Sequence, residues 1–230
     1  SRTSQIDDDT LSVSGLQKSF GSYVVLKNIS AKFEHGKVHS LLGHNGAGKS
    51  TFINILTGIY KPTEGNITYG KHNFRHMRKY ESNKLNIGIC PAYDVLFPNL
   101  TVYNHLKVIG LIKNIRNLEV RISEVMSLLK LTEYTNFKVN QLSGGNKRKL
   151  TLGIAIIAKP TLLFLDEPTS AIDPVARKEI WQILLQLKQS RNMITLLTTH
   201  HLEEAEFLSD RINVLGYGEI LVSGTVEEIK

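Results

Sequence analysis

The sequence lacks most features of secreted and membrane-spanning chains. Among its 230 residues only Cys90 is a cysteine, so no intrachain disulfide can form. Its apolar stretches, such as 150–159, end well short of the ~20 apolar residues that cross a bilayer. The first ten residues, SRTSQIDDDT, have neither the basic flank nor the apolar run of a secretory signal. We therefore expect a reducing, cytosolic setting and no transmembrane helix in this sequence.

Acidic residues are outnumbered by basic ones. The 21 Asp and Glu stand against 28 Lys and Arg, which gives a net charge of +7. Such a balance suits nucleic acid, an anionic membrane surface or a polyphosphate ligand. The basic residues are nevertheless spread over 27–37, 71–84, 107–121 and 147–149 rather than gathered in one block. This spread favours a solvated basic surface, and we expect no nucleic-acid partner.

The hydropathy pattern changes along the chain. After a polar tail at 1–10, alternating residues predict strands over 11–20 and 24–33. Helical patterning with few glycines fills about 92–142, and strands then alternate with helices. The predicted helices cover 101–112, 118–131, 174–189 and a stretch from 143, and the predicted later strands cover 161–165 and 193–198. This alternation is typical of a mostly parallel sheet covered on both faces.

A glycine-rich segment follows the first strands. Residues 35–58 predict a strand, a tight turn and an amphipathic helix, and the turn GHNGAGKS matches G-x-x-x-x-G-K-[ST]. In that pattern small residues let backbone N–H groups wrap a phosphate, Lys49 reaches the β- and γ-phosphates, and the Ser50 hydroxyl binds Mg²⁺. A glycine-rich turn without function is the alternative, which the strand-loop-helix context disfavours. The predicted nucleotide-binding residues here are Gly43, His44, Asn45, Gly46, Ala47, Gly48, Lys49, Ser50 and Thr51.

Two acids end the apolar strand LLFLDE at 162–167. They are predicted to lie at the carboxyl edge of the sheet, where open α/β sheets bind their ligands. Asp166 suits Mg²⁺, held directly or through water, and Glu167 is placed to polarise the water that attacks the γ-phosphate. Adjacent acids at a strand end are usually surface charge, but a phosphate-binding loop in the same chain favours a catalytic pair.

The segment LSGGN at 142–146 leads into KRKL at the start of a predicted helix. Together with the P-loop and LLFLDEP, in this order and spacing, it resembles the ATP-binding cassette (ABC) transporter family, whose signature is LSGGQ. A serine N-cap with two glycines also makes a second helix-terminus anion site. The resemblance implies that Ser143, Gly144, Gly145 and Asn146 close over the γ-phosphate held by a partner cassette.

Three further positions match landmarks of this family. The segment SAID, which ends at Asp173, is similar to the loop that crosses the dimer interface at the nucleotide. His200, after LTT, is similar to the switch histidine that contacts the γ-phosphate. Phe20 lies where the family has an aromatic residue that stacks on adenine. Tyr23 is the alternative for that role, and a core aromatic without the role is another.

One position departs from the family pattern. In CPAYDVLF at 90–97, Ala92 stands where the family has a glutamine that helps to bind Mg²⁺ and links the core to the helical lobe. A methyl group cannot replace that amide. The contact is therefore lost, taken by water or supplied by a neighbour such as Asp94. The departure bears on hydrolysis and coupling rather than on nucleotide binding.

The resemblance extends over about 11–222 and implies the fold class. That class is an α/β, RecA-like P-loop NTPase core with a mostly parallel sheet, an N-terminal antiparallel β subdomain and an inserted α-helical subdomain. The predicted division has a tail or linker at 1–10, the β subdomain with the P-loop part of the core at 11–91, the helical subdomain at 92–151 and the rest of the core at 152–230.

The resemblance also implies a function. The implied function is that of a nucleotide-binding domain that binds and hydrolyses Mg-ATP. This domain would dimerise head to tail with a second cassette and so drive transport by the transmembrane domains of the same transporter. The combination of GHNGAGKST, CPxYDVLF, LSGGNKRKL and TTHHLEEAE is similar to the A subfamily, whose members mostly handle lipids. This resemblance implies a location at the cytosolic face of a membrane, within a multi-pass protein.

Two other functions remain open from the sequence. One is a soluble ABC ATPase that acts on ribosomes or nucleic acid, which the basic balance suits. The insert of about fifty residues has no sustained heptads, which favours the transporter instead. The other is an ATP-binding regulatory module with weak hydrolysis, which Ala92 suits and which the presence of Glu167 and His200 disfavours.

Overall fold

A computed structural model describes residues 10–70, 72–73, 86–190 and 192–230 of the chain. Its strands are β1 (Thr10–Phe20), β2 (Tyr23–Glu34), β3 (Val38–Leu42), β4 (Glu64–Tyr69), β5 (His72–Asn73), β6 (Ile87–Cys90), β7 (Leu162–Asp166), β8 (Ile194–Thr199), β9 (Arg211–Gly216) and β10 (Glu219–Gly224). Its helices are α1 (Lys49–Leu56), α2 (Val102–Ile112), α3 (Leu118–Leu128), α4 (Gly144–Ile156), α5 (Pro174–Gln189), α6 (Leu202–Leu208) and α7 (Val226–Ile229). Nearly all of the predicted tail and most of the basic stretch 71–84 lie outside these ranges.

Six strands form the central sheet in the order β10-β9-β3-β8-β7-β6. All neighbouring pairs except β9–β10 run parallel. Every residue of β7 and β8 is buried, which is the pattern of parallel strands covered on both faces. The prediction of a mostly parallel sheet is confirmed.

The central sheet has a separate hydrophobic core on each face. Leu163, Leu165 and Leu197 pack with α2, α3, α4 and α5 in one core. Phe164 and Leu196, one position along the same strands, pack on the other face with the N-terminal strands and α1. Because successive side chains of a strand point to opposite faces, single strands contribute to both cores.

The N-terminal strands form a second, antiparallel sheet in the order β2-β1-β4-β5. Phe33 of β2 lies 6.1 Å, ring centroid to ring centroid, from Phe52 of α1. A Cβ atom on Gly48 would lie 2.7 Å from the side chain of Leu26, so β2 passes directly over the start of α1. The predicted antiparallel β subdomain is present and covers the glycine-rich loop.

Helices α2, α3 and α4 make up the helical region after β6. The sequence predicted the second of them to reach 131, but α3 ends at Leu128. Lys130 has φ 54°, and Leu131 donates its N–H to the carbonyl of Met126 at 2.9 Å, a turn that stops the helix. The predicted domain boundary at 151/152 falls inside α4. Within the ranges described, each helix is too short or too polar to span a membrane.

Candidate nucleotide-binding site

The glycine-rich loop joins β3 to α1 at the carboxyl edge of the sheet. The N–H of Gly43 donates to the carbonyl of Thr199 at 3.1 Å, which fixes the loop against the end of β8. Gly46 and Gly48 have φ of 85° and 105°, a backbone conformation that favours glycine. Apart from its chain neighbours, a Cβ on Gly46 would meet no atom of the described residues within 4 Å, so this part of the loop has an open side.

Lys49 extends from the first residue of α1 back across the loop. Its Nζ donates to the carbonyls of Gly43 at 2.8 Å and His44 at 3.1 Å. The same atom lies 3.2 Å from Oε1 of Glu167, and the lysine side chain is buried. The loop therefore holds a buried ammonium next to Glu167, the acid that follows the end of β7.

A hydroxyl and a carboxylate converge beside this lysine. Asp166 is 6% exposed, and its Oδ1 accepts hydrogen bonds from Ser50 Oγ at 3.2 Å and Thr198 Oγ1 at 2.6 Å. Oxygen ligands of these two kinds suit Mg²⁺, which takes one or two protein ligands and completes its shell with phosphate and water. Ser50 and Asp166 thus fit the predicted metal-binding pair.

Glu167 follows Asp166 in a left-handed conformation, with φ 46°. Its N–H donates to Thr198 at the end of β8, 3.1 Å to the carbonyl and 3.0 Å to the hydroxyl. Its carboxylate lies between Lys49 and His200, whose Nδ1 is 3.3 Å from Oε2. Burial raises the pKa of Glu167, but hydrogen bonding to Lys49 and the charges of Lys49 and His200 outweigh it, so the pKa lies below its ordinary value. Glu167 is therefore an anion at neutral pH and can accept a hydrogen bond from water.

The predicted signature residues lie at the start of α4. Ser143 is the N-cap, and its Oγ accepts from the N–H of Asn146 at 3.2 Å. A Cβ on Gly145 would lie 2.5 Å from the Cβ of Ala176, so close packing of α4 on α5 requires this glycine. Asp173 caps α5 next to it, accepting from Val175 and Ala176 at 3.0 Å each. In the part of the chain that is described, no hydrogen bond or ion pair joins 143–146 to 43–51.

Phe20 lies at the tip of the β1–β2 hairpin and is 44% exposed, while Tyr23 opposite it is 71% exposed. Neither is a core aromatic. The ring of Tyr60 meets Phe20 edge-on at 5.3 Å, and Lys18 Nζ lies 4.7 Å from the centroid of the Phe20 ring. Phe20 therefore belongs to an exposed aromatic group close to where β2 crosses the loop.

The sequence reasoning missed two residues of the site and misplaced one. Thr198 and Arg148 hold the end of β7, the first through Asp166 and Glu167 and the second through backbone carbonyls. Asp94, suggested as a substitute for the missing glutamine, accepts from Thr151 Oγ1 at 2.7 Å and lies 3.3 Å from Arg148. Its carboxylate is held by α4 rather than by Ser50 or Asp166. One sign in the sequence indicated that Arg148 is part of the site: it is an arginine among buried positions of α4, between Gly145 and Leu152.

A phosphate-binding loop, a hydroxyl–carboxylate pair and an adjacent glutamate at the carboxyl ends of parallel strands define a P-loop nucleoside triphosphatase. The sequence profile of the ABC transporter family matches residues 26–170. The chain therefore belongs to the ABC transporter family, and it is an ATPase cassette that uses ATP and Mg²⁺.

Curated relatives identify the most similar subfamily. ABC transporter A family member 2 of Dictyostelium discoideum is 37% identical over 94% of this chain. The phospholipid-transporting ATPase ABCA3 of Mus musculus is 39% identical over 87% of it, and sub-family A member 13 of Homo sapiens is 39% identical over 89%. The chain spans only 13%, 12% and 4% of the lengths of these three proteins, respectively. Within the family, the chain is most similar to the A subfamily.

Solved structures agree with the fold. A dimeric bacterial ABC transporter cassette superposes with a TM-score of 0.84 at 27% identity, covering 94% of this chain and 98% of that one. A dimeric cassette in a post-hydrolysis state, bound to ADP and phosphate, superposes with a TM-score of 0.83 at 25% identity over the same shares. The predicted P-loop NTPase fold class is confirmed.

Proposed function

We propose that this chain is the motor domain of a lipid-handling transporter, in which its ATP hydrolysis drives movement of transmembrane domains. The observation that carries the proposal is the convergence of Lys49, Ser50, Asp166, Glu167 and His200 at one edge of the sheet. The phospholipid-transporting relative supports lipid as the cargo. The transporter relatives also favour this function over a soluble ATPase acting on ribosomes or nucleic acid. In this proposal the domain lies at the cytosolic face of a membrane.

Different residues of the site bind different parts of Mg-ATP in this proposal. Backbone N–H groups of residues 43–51 surround the phosphates, and Lys49 neutralises their charge. Ser50 and Asp166 hold Mg²⁺, which when bound offsets negative charge on the phosphate oxygens. Phe20, or Tyr23 beside it, stacks on the adenine ring.

Glu167 is the proposed general base. Its carboxylate is ionised at neutral pH and can orient a water and accept a proton from it. His200, 3.3 Å away, contacts both this carboxylate and the γ-phosphate in the proposed complex. Both groups act directly on the reacting atoms.

The signature residues act on a partner cassette. A Cβ on Gly144 would meet nothing within 4 Å, so no contact among the described residues requires a glycine there. Ser143, Gly144, Gly145 and Asn146 instead close over the γ-phosphate bound by a second cassette, with Asp173 beside them. The dimeric cassettes of similar fold support the pairing of two cassettes, and the head-to-tail arrangement is part of the proposal.

Glu167→Gln tests the proposal, because glutamine keeps the size of the side chain but cannot take a proton. We expect ATP turnover to fall by about 10²–10⁴-fold while nucleotide affinity stays within about threefold. Size-exclusion chromatography with Mg-ATP should show dimers that persist in the variant. Glu133→Gln, at an exposed turn, is the matched control and should behave as the wild type. Turnover by Glu167→Gln close to that of the control would contradict the proposed base.

A further inference from the structure

Arg148 is a buried arginine in α4, with only 4% of its surface exposed. Its guanidinium makes five contacts, all to oxygen atoms. Nε donates to the carbonyl of Pro168 at 2.7 Å, and Nη2 donates to those of Asp166 at 3.0 Å and Glu167 at 3.2 Å. Nη1 donates to the carbonyl of Pro91 at 2.5 Å and to Oδ1 of Asp94 at 3.3 Å. One side chain thus joins α4 to two other segments of the site.

The first of these segments is the turn that leaves β7. Its three carbonyls, of residues 166–168, lie at and just beyond the end of the strand ladder, where buried carbonyls need donors. The carbonyl of Glu167 also accepts from the N–H of Ser170 at 3.1 Å. The guanidinium presents a rigid planar fork of N–H groups, which suits several fixed acceptors at once. The backbone of Glu167, at φ 46°, is therefore held from one side by Arg148 and from the other by Thr198.

The second segment is the loop that contains Ala92. Arg148 contacts this loop before and after Ala92, at the carbonyl of Pro91 and the carboxylate of Asp94. Thr151, one turn further along α4, donates to the same Asp94 carboxylate. This loop therefore has a link to the end of β7 that does not depend on the side chain at position 92.

We propose that Arg148 is a positioning residue for Glu167, which fixes the direction of the carboxylate by holding its backbone and couples it to α4 and to the loop at 91–94. The proposal rests on the role of Glu167 as the base. It follows that the signature start of α4 and the base of the same chain move together. A partner nucleotide that engages Ser143 thereby acts on the Glu167 of this chain.

Arg148→Lys tests this role, because it keeps the charge but cannot donate in the directions of the planar fork. Misplacing a reacting group by about 1 Å can cost about 10²-fold, so we expect kcat to fall about 10- to 100-fold. The dissociation constant for a fluorescent ATP analogue should change less than about threefold.

Arg121→Lys is the matched control, since Arg121 also donates to backbone carbonyls, those of Ile156 and Ile157 at the other end of α4. It should lower the melting temperature and leave kcat close to that of the wild type. Thr151→Val, which removes one donor to Asp94 at nearly constant volume, provides a second and milder variant. We expect it to lower kcat by a smaller factor than Arg148→Lys. Equal kcat in Arg148→Lys, Thr151→Val and Arg121→Lys would overturn the proposal.

A double-mutant cycle separates positioning from general loss of structure. If Arg148 acts through Glu167, then Arg148→Lys should reduce the residual single-turnover rate of Glu167→Gln by less than about threefold. A reduction by the same large factor in both backgrounds would show that Arg148 acts independently of Glu167. Near-normal turnover by Glu167→Gln alone would instead contradict the assignment of the base, so the two failures are distinguishable.

Discussion

Ala92 is the residue at which this chain departs from its family, and the structure limits what can replace the missing amide. Asp94 is committed to Thr151 and Arg148. The loop around Ala92 is instead held through its backbone and Asp94 by α4. The position of the loop is thus maintained while the amide that resemblance assigns to Mg²⁺ is absent.

We predict that Ala92→Gln raises kcat and lowers the Mg²⁺ concentration for half-maximal activity, with little change in nucleotide affinity. Ground-state binding rests on several charge-assisted contacts of roughly 1.5–3 kcal/mol each, so one neutral amide adds little to it. Interactions realised only in the transition state change the rate instead. Steady-state ATPase assays across a Mg²⁺ titration measure both effects. Ala92→Asn carries the same amide one methylene shorter and is the control, and superimposable curves for all three proteins would refute the prediction.

At the scale of elements, α4 is held by close approaches on two sides. A Cβ on Gly88 of β6 would lie 2.2 Å from the carbonyl oxygen of Ala155, and one on Gly145 would lie 2.5 Å from Ala176. Backbone and Cβ atoms cannot rotate away as long side chains can. Both positions therefore require glycine for packing, while Gly144 at the same helix start does not.

We predict opposite outcomes for alanine at two of these positions. Gly88→Ala should lower the free energy of unfolding by about 1–3 kcal/mol, because the added methyl group overpacks the β6–α4 contact. Gly144→Ala should leave stability unchanged or slightly raised, since alanine favours helix, but it should reduce ATP-dependent dimerisation. Urea unfolding and size-exclusion chromatography with Mg-ATP distinguish the two variants. A Gly88→Ala protein as stable as the wild type would contradict the first part of this prediction. A Gly144→Ala protein that dimerises normally would contradict the second part.

Element boundaries were predictable where local chemistry marks them. The helix predicted at 174–189 matches α5, because Asp173 caps it and Pro174 occupies its first turn. The predicted end of α3 was wrong by three residues, because no glycine or proline in the sequence marks the left-handed conformation of Lys130. A lysine in that conformation is set by tertiary packing, which a local pattern does not contain.

At the scale of the whole molecule, His39 joins the two sheets. It lies in β3 with no surface exposed, its Nε2 accepts from the N–H of Glu34 at 2.9 Å, and its ring meets Phe33 edge-on at 5.3 Å. Burial lowers the pKa of His39 to about 4, so the imidazole is neutral in the folded chain.

We predict that this histidine makes the molecule sensitive to acid. The pKa of His39 in the folded chain is below the unfolded value of about 6.5. The contribution of His39 to the free energy of unfolding is therefore complete above about pH 6.5 and is lost as the pH falls toward 4. Between pH 7 and pH 5 the loss should be about 2 kcal/mol of the free energy of unfolding. Urea unfolding at several pH values measures it, and His39→Gln should reduce this slope. An unchanged slope in the variant would assign the acid sensitivity to other groups.

The residues that face the ligand were predictable from the sequence, whereas the residues that hold them in position were not. The loop, Asp166 and Glu167 follow from residue order, because strand ends and helix starts of a parallel sheet meet at one edge. The contacts of Arg148 with residues 91–94 and 166–168 join positions far apart in sequence. No local pattern specifies such contacts, since they depend on how α4 docks against the sheet.

Cys90 is the last residue of β6. It lies in the core on the face of the sheet that packs with α2, α3, α4 and α5, and it has no exposed surface. Burial raises the pKa of its thiol to about 11, so almost no thiolate forms at neutral pH. Maleimide reagents should therefore leave the folded wild-type chain unmodified. An introduced cysteine, for example Glu133→Cys at an exposed turn, would then be the one reactive thiol. Fluorophores or spin labels could thus be attached at chosen positions to follow pairing of cassettes without first removing the native cysteine.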